Sequence, residues 1–201
     1  MVRAFRQKVA TNPLQVPVDP YTLPVPSPPS PDSVCALKYD EGRTRYRLQD
    51  FESAQASADA GFIVTHAGSC GSCSTLVDLA LYIEKPDLTA PVRECAVTSG
   101  GPVAGPACLE RLGFSPACAR TWYFNAMNTR RECFWVCLGM WVSAASSNLP
   151  NGQLHECLAC DEARSGPAFK ASAGRTRRNS GLRSSIDRAD SEVFPIVHDY
   201  E

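Results

Sequence analysis

The chain has 201 residues and a mass of 21.8 kDa, enough for one ordinary core and too little for two comfortable ones. A formal charge of −1 and a pI of about 6.3 give the whole molecule no electrostatic reason to seek nucleic acid or an anionic membrane, so any basic site is local. The most apolar stretch, Phe134 to Ala145, is shorter than the roughly 18 residues a membrane-crossing helix needs.

Residues 1–34 read as an extended, proline-rich arm ahead of a single domain over 35–201. Within it, Leu23-Pro-Val-Pro-Ser-Pro-Pro-Ser-Pro has no apolar period and the composition of a polyproline-like segment. Arg43-Thr-Arg-Tyr-Arg-Leu-Gln alternates like a strand, and Phe51 to Ala60 reads as a short helix stopped by Gly61. The β-branched run Phe62-Ile-Val-Thr-His66 predicts a second strand. Cys70 and Cys73 then open a helix with the apolar stripe Cys73, Leu76/Val77, Ala80 and Ile83, ending before Pro86.

Pro106 to Leu112 is a short helix with Gly113 after it, and Ser115-Pro116 restarts as N-cap and first residue, which makes a helical hairpin. The second helix carries Cys118, Trp122, Ala126, Cys133, Cys137 and Met140 on one face. Beyond the Pro150-Asn151-Gly152 turn come Cys157 and Cys160, and Ser165-Gly-Pro-Ala-Phe-Lys opens a basic helix that stops at Asn179-Ser-Gly181. Glu192 to His198 reads as a last strand, at a sheet edge because of Pro195. The expected fold class is α+β, mainly helical: a small sheet with a helical hairpin, stapled by disulfides.

The 10 cysteines are even in number, which in a small protein favours disulfides and an extracytoplasmic, oxidising compartment, secreted or an organelle lumen or intermembrane space. The start, Met-Val-Arg-Ala-Phe-Arg-Gln-Lys, lacks the apolar core of a secretory signal, so the compartment is inferred from the cysteines. On a continuous helix Cys118 and Cys133 lie about 22 Å apart and cannot bond to each other. Cys133 and Cys137 are one turn apart and are expected to reach different segments; Cys108 and Cys118 straddle the hairpin turn and are placed to staple it.

Val64-Thr-His-Ala-Gly-Ser-Cys-Gly-Ser-Cys73, Pro86-Asp-Leu-Thr89, Cys157-Leu-Ala-Cys-Asp-Glu-Ala-Arg-Ser-Gly-Pro167 and Gly174-Arg-Thr-Arg-Arg-Asn-Ser-Gly-Leu182 together resemble an uncharacterised cysteine-rich family of microbial eukaryotes and bacteria, often carrying secretory signals. The resemblance spans residues 35 to 200 and implies an extracytoplasmic fold without an activity. The chain departs from the family pattern at Ala189-Asp190, where a Pro-Cys pair is expected, so one disulfide partner is expected to differ.

Three chemistries are open. Cys70-Gly-Ser-Cys73 and Cys157-Leu-Ala-Cys160 have the ligand spacing of a zinc or iron–sulfur site, although no cofactor is favoured over structural disulfides. A strand running into a helix that starts Cys-x-x-Cys is also the local pattern of a thiol-redox centre, with His66 beside it as a base. His66, Cys70 and Cys73 are thus the catalytic candidates of a small enzyme, with Asp161 and Arg164 completing its cleft, and a His198-Asp199 pair near Ser180 is the weaker hydrolase pattern. Third, Lys170, Arg175, Arg177, Arg178, Asn179 and Ser180, with Arg164 nearby, form a basic loop suited to an anion. On a continuous helix Arg175 and Arg178 share a face, and the competing reading pairs these arginines with Asp161, Glu162, Asp187 and Asp190. The reading favoured is a disulfide-stapled binding or accessory protein whose basic loop meets a protein partner or an acidic small ligand, not nucleic acid.

Overall fold

The computed structural model describes residues 2–16, 18–98, 101–143 and 146–200. Four strands form one sheet in the order β1-β3-β2-β4, from Val9–Ala10 (β1), Val34–Tyr39 (β2), Arg45–Phe51 (β3) and Ile63–Ala67 (β4). β2 pairs antiparallel with both neighbours and β1 runs parallel to β3. The central strand was missed by its pattern: Val34, Cys35, Ala36 and Leu37 are all buried, and a strand covered on both faces has no polar alternation to betray it.

The helices are α1 (Val2–Gln7), α2 (Ala54–Asp59), α3 (Leu76–Glu84), α4 (Thr89–Thr98), α5 (Ala104–Leu112), α6 (Pro116–Ser143), α7 (Glu156–Arg164) and α8 (Gly166–Ala173). α3 packs Leu76, Leu79 and Ala80 on the sheet residues Cys35, Leu37, Tyr46 and Leu48. From its other side Leu81 and Tyr82 enter a second core with Leu109, Phe114, Cys118 and Tyr123. The 28 residues of α6 span about 42 Å at 1.5 Å per residue, so its far half serves a third core of Cys133, Cys137, Met140, Cys157 and Leu158. No helix of the described residues is long and apolar enough to cross a membrane.

The hairpin expectation holds, with Gly113 at φ 115 ending α5 and the Ser115 hydroxyl accepting from Cys118 N at 3.4 Å. Ser115 also ties the hairpin to α3: the buried Asp78 carboxylate accepts from Ser115 N at 2.8 Å and Ser115 Oγ at 2.7 Å, and from Thr75 Oγ1 at 2.5 Å.

All ten cysteines are paired: Cys35–Cys70, Cys73–Cys118, Cys95–Cys108, Cys133–Cys160 and Cys137–Cys157. The Cys108–Cys118 staple is not formed, because α4, absent from the sequence reading, lies along the hairpin and brings Cys95 to Cys108 at a Cα distance of 5.6 Å. Cys133 and Cys137 reach one segment and not two. α7 runs antiparallel to α6, so residues one turn apart on each helix meet as two rungs. The departure at Ala189-Asp190 leaves no cysteine single.

Three further expectations are corrected. The first ten residues do not extend as an arm: α1 buries Phe5 against Tyr200, ring centroids 5.4 Å apart, and β1 joins the sheet. Residues 23–30 are irregular and exposed. The basic helix ends at Ala173, since Gly174 turns out of it at φ 69, ψ −71, and Arg175 and Arg178 share no helical face. Residues 193–198 form no strand; they lie along the arginine loop, with Phe194 N donating to Arg178 O at 2.9 Å.

Candidate functional site

Two motifs meet at a buried crossing. Ser72 N donates to Ser172 O and Cys73 N to Ala173 O, each at 2.9 Å. A Cβ on Gly71 would lie 2.3 Å from Gly174 N, and one on Gly174 would lie 2.3 Å from Gly71 N; the two backbones touch, and only glycine fits either place. Beside the crossing, the fully buried Arg175 donates from Nη1 to Thr65 O at 3.0 Å and Ser180 Oγ at 2.9 Å, and from Nη2 to Ser74 O at 3.2 Å and to Thr65 Oγ1. Its Nε has no partner among the described residues, and burial lowers its pKa from the ordinary guanidinium value. Asn179 closes the loop by donating to Ala67 O and Gly174 O, both at 2.8 Å.

His66 belongs to the same knot. Its Nδ1 lies 2.9 Å from Ala67 O, which only accepts, so Nδ1 carries the proton and Nε2 accepts from Ser74 Oγ at 2.7 Å. Burial, then the Arg175 charge, holds its pKa well below the usual value. With His66, Cys73 and Ser74 all at 0% exposure, this hydroxyl–imidazole pair acts as a clasp under the loop. Cys70 and Cys73 precede α3, whose cap is Thr75, and they are bonded to Cys35 and Cys118, so they are not a dithiol pair at a helix start. The zinc alternative is dismantled in the same way, because Cys157 and Cys160 are bonded to α6. Cys35, Asp50 and Cys70 also cluster, but the two sulfurs are joined, and metal ligation needs thiolates.

His198 does not pair with Asp199 through its ring. Its Nε2 donates to Ser180 O at 2.7 Å and its Nδ1 accepts from Tyr200 Oη at 2.6 Å, with its pKa lowered to about 4 by burial and then by Arg175. Arg164 is exposed and apart from the knot.

A concave feature lies elsewhere, between α4, α6, α7, α8 and residues 184–188, as a cavity of about 270 Å³. Val92, Trp122, Ala126, Leu158, Phe169 and Ile186 form its apolar walls. The Trp122 and Phe169 rings meet edge-on at 4.8 Å, and Trp122 Nε1 donates to Tyr82 Oη at 3.1 Å, which fixes the indole. Asn125 and Thr129 of α6 and Asp161 of α7 make a polar patch. There Asn125 Nδ2 donates to Asp161 Oδ1 at 3.4 Å, as does Thr129 Oγ1, and Tyr21 Oη from the arm donates to Asn125 Oδ1 at 2.7 Å. Burial raises the Asp161 pKa above the ordinary carboxyl value against these hydrogen bonds.

Six basic side chains line the same cavity: Arg93, Arg130, Lys170, Arg177, Arg178 and Arg188. Arg178 and Arg188 both reach Glu162, and Arg178 also reaches Glu192 at 2.5 Å. Arg177 donates to Tyr82 O at 2.6 Å and to Lys85 O, and its guanidinium lies over the Tyr82 ring at 5.3 Å. None of the ion pairs among the described residues involves Arg93, Arg130 or Lys170. The cavity therefore gathers Lys170, Arg177, Arg178, Cys157, Asp161 and Glu162 from the sequence candidates and leaves Arg164, Arg175, Asn179, Ser180, His66, Cys70, Cys73 and Cys160 outside. Arg93, Arg130 and Phe169 were not singled out, and Trp122 was read only as part of a buried helix face; Arg130-Arg131 on a half-polar helix turn was an available signal.

A model of a family of unknown function (DUF8771) matches residues 103–196, which takes in α5 to α8, the arginine loop and most of the cavity wall but not α4. No curated protein and no solved structure matches the chain.

Proposed function

We propose that the chain is an extracytoplasmic binding protein, stapled by its five disulfides, whose cavity takes a small ligand with an apolar body and an anionic group. What carries this reading is the combination of an aromatic-walled cavity with three cations, Arg93, Arg130 and Lys170, that no acid of the described residues neutralises. About 30 Å³ per water-sized group makes 270 Å³ room for a short alkyl or single-ring ligand. The basic region expected to meet an acidic ligand thus shifts from the Arg175 loop to the cavity rim, with Lys170, Arg177 and Arg178 common to both. The disulfides favour secretion or an oxidising organelle lumen, and a protein partner remains the alternative occupant of the rim.

Octanoate and octylamine, which share a body and differ in the sign of the head group, test this. Octanoate should raise the melting temperature, by mass action worth about 2.7 kcal/mol at one hundred times its Kd, and octylamine should not. Arg130→Ala/Lys170→Ala, at two exposed positions, should weaken octanoate by roughly tenfold without moving the melting point of the free protein. Equal responses to the two probes, or none to octanoate, would overturn the reading.

A further inference from the structure

The cavity contains a carboxyl that no cation of the described residues pairs with. Arg178 and Arg188 line the same cavity as Asp161, yet both turn to its neighbour Glu162, and no ion pair of the described residues includes Asp161. The hydrogen bonds from Asn125 and Thr129 both end on Oδ1. A carboxylate has about four acceptor sites, so roughly two are left.

The surrounding bonds hold that carboxyl in place. Tyr21 Oη lies 2.7 Å from Asn125 Oδ1 and 3.0 Å from Ser165 O, which ties the Asn125 amide, with its Nδ2 toward Asp161, to the end of α7. Thr129 Oγ1 also lies 2.9 Å from Ser165 Oγ, so the two hydroxyls brace each other. Such a fixed acceptor in an apolar wall gains most from a donor that a ligand brings with it, because the carboxyl has already given up much of its water.

We propose that Asp161 is a specificity-determining residue, and that the ligand carries, besides its apolar body and anionic group, a hydrogen-bond donor, a hydroxyl or an ammonium, which Asp161 accepts. This rests on the binding reading above. It adds a bifunctional ligand: the rim cations meet its acid group and Asp161 meets its donor.

Calorimetric titration with octanoate, 8-hydroxyoctanoate and 8-aminooctanoate tests it on the wild type and on Asp161→Asn. The Asn side chain keeps an acceptor for Thr129 while replacing one carboxylate oxygen by an amide donor. At least one donor-bearing acid should bind the wild type roughly tenfold or more tightly than octanoate. The variant should bring the three to within about threefold of one another. Preference for the amine would mean an ion pair and preference for the alcohol a neutral donor; either supports the proposal. Equal binding of all three to the wild type overturns it and leaves the cavity reading standing, and this arm decides even where the variant fails to fold. A donor preference that survives in Asp161→Asn also overturns it, since the donor then pairs elsewhere. Binding of none of the three overturns both.

Discussion

Gly71→Ala places a methyl group where no side chain can move aside. Its Cβ would stand 2.3 Å from Gly174 N, 2.4 Å from Ala173 C and 2.6 Å from Ala173 O. All three are backbone atoms, so relief requires the loop and the end of α8 to part. Parting lengthens the bonds from Ser72 N to Ser172 O and from Cys73 N to Ala173 O, at about 1 kcal/mol each, and adds an overpacking cost of about 1–3 kcal/mol. The expected loss is therefore about 3–5 kcal/mol. For a chain of this size 3 kcal/mol alone corresponds to roughly 6–12 °C in melting temperature. Gly139→Ala is the matched control, because a Cβ there meets nothing within 4 Å inside α6, and it should stabilise by about 0.5–1 kcal/mol. Scanning calorimetry on the oxidised proteins measures both. A Gly71→Ala melting point within 2 °C of the wild type, on the same roughly 2–4 °C per kcal/mol scale, would refute the crossing as a constraint.

Intact mass after alkylation should show no modified cysteine without reductant and ten with it; Cys133→Ala/Cys160→Ala, whose loop is still closed from within by Cys137–Cys157, should cost about 2–3 kcal/mol in urea titrations. His66 has a folded pKa below its unfolded value, so its contribution is present above pH of about 6.5 and is lost as pH falls, at about 1.4 kcal/mol per unit. His198, at about 4, acts with the same sign, and the raised carboxyls of Asp78 and Asp161 act oppositely. The difference in acid sensitivity between wild type and His66→Gln isolates one proton, and identical pH slopes between 6.5 and 5 would contradict the buried neutral imidazole. Asp78→Ala strands the Thr75 hydroxyl and both Ser115 donors and should cost about 3–5 kcal/mol by chemical denaturation, against about 1 kcal/mol for Ser115→Ala, which also loses a helix cap.

Elements with a one-sided pattern or a chemical stop signal were legible. β3 alternates buried Tyr46 and Leu48 with exposed arginines, and the hairpin was announced by Gly113 and Ser115-Pro116. Where the pattern loses contrast, sequence reasoning failed: β2 is covered on both faces, α4 carries Pro91 in its first turn, and α7 was read only as a cysteine pair. The arginine cluster failed for another reason. Charge in a sequence suggests solvent, whereas Arg175 spends its Nη donors on backbone carbonyls and hydroxyls at 0% exposure. Nothing local in Gly-Arg-Thr-Arg-Arg distinguishes that arginine from its neighbours; the distinction comes from Gly71 crossing Gly174 in three dimensions.

The disulfides do more than offset chain entropy, because they set the geometry of the cavity. Thr129 lies one turn before Cys133 on α6, and Asp161 follows Cys160 on α7, so the Cys133–Cys160 rung fixes the Thr129–Asp161 contact from the next turn. The Cys137–Cys157 rung repeats the tie one turn further, with Cys157 itself in the cavity wall. On the opposite wall α4 is tied to α5 by Cys95–Cys108, and α6 to the loop before α3 by Cys73–Cys118. Each of the walls from α4, α6 and α7 thus carries a covalent link within a turn or two of the residues it presents. A cavity so braced arrives ordered, so a small ligand of the proposed kind would spend little of its affinity on ordering the walls.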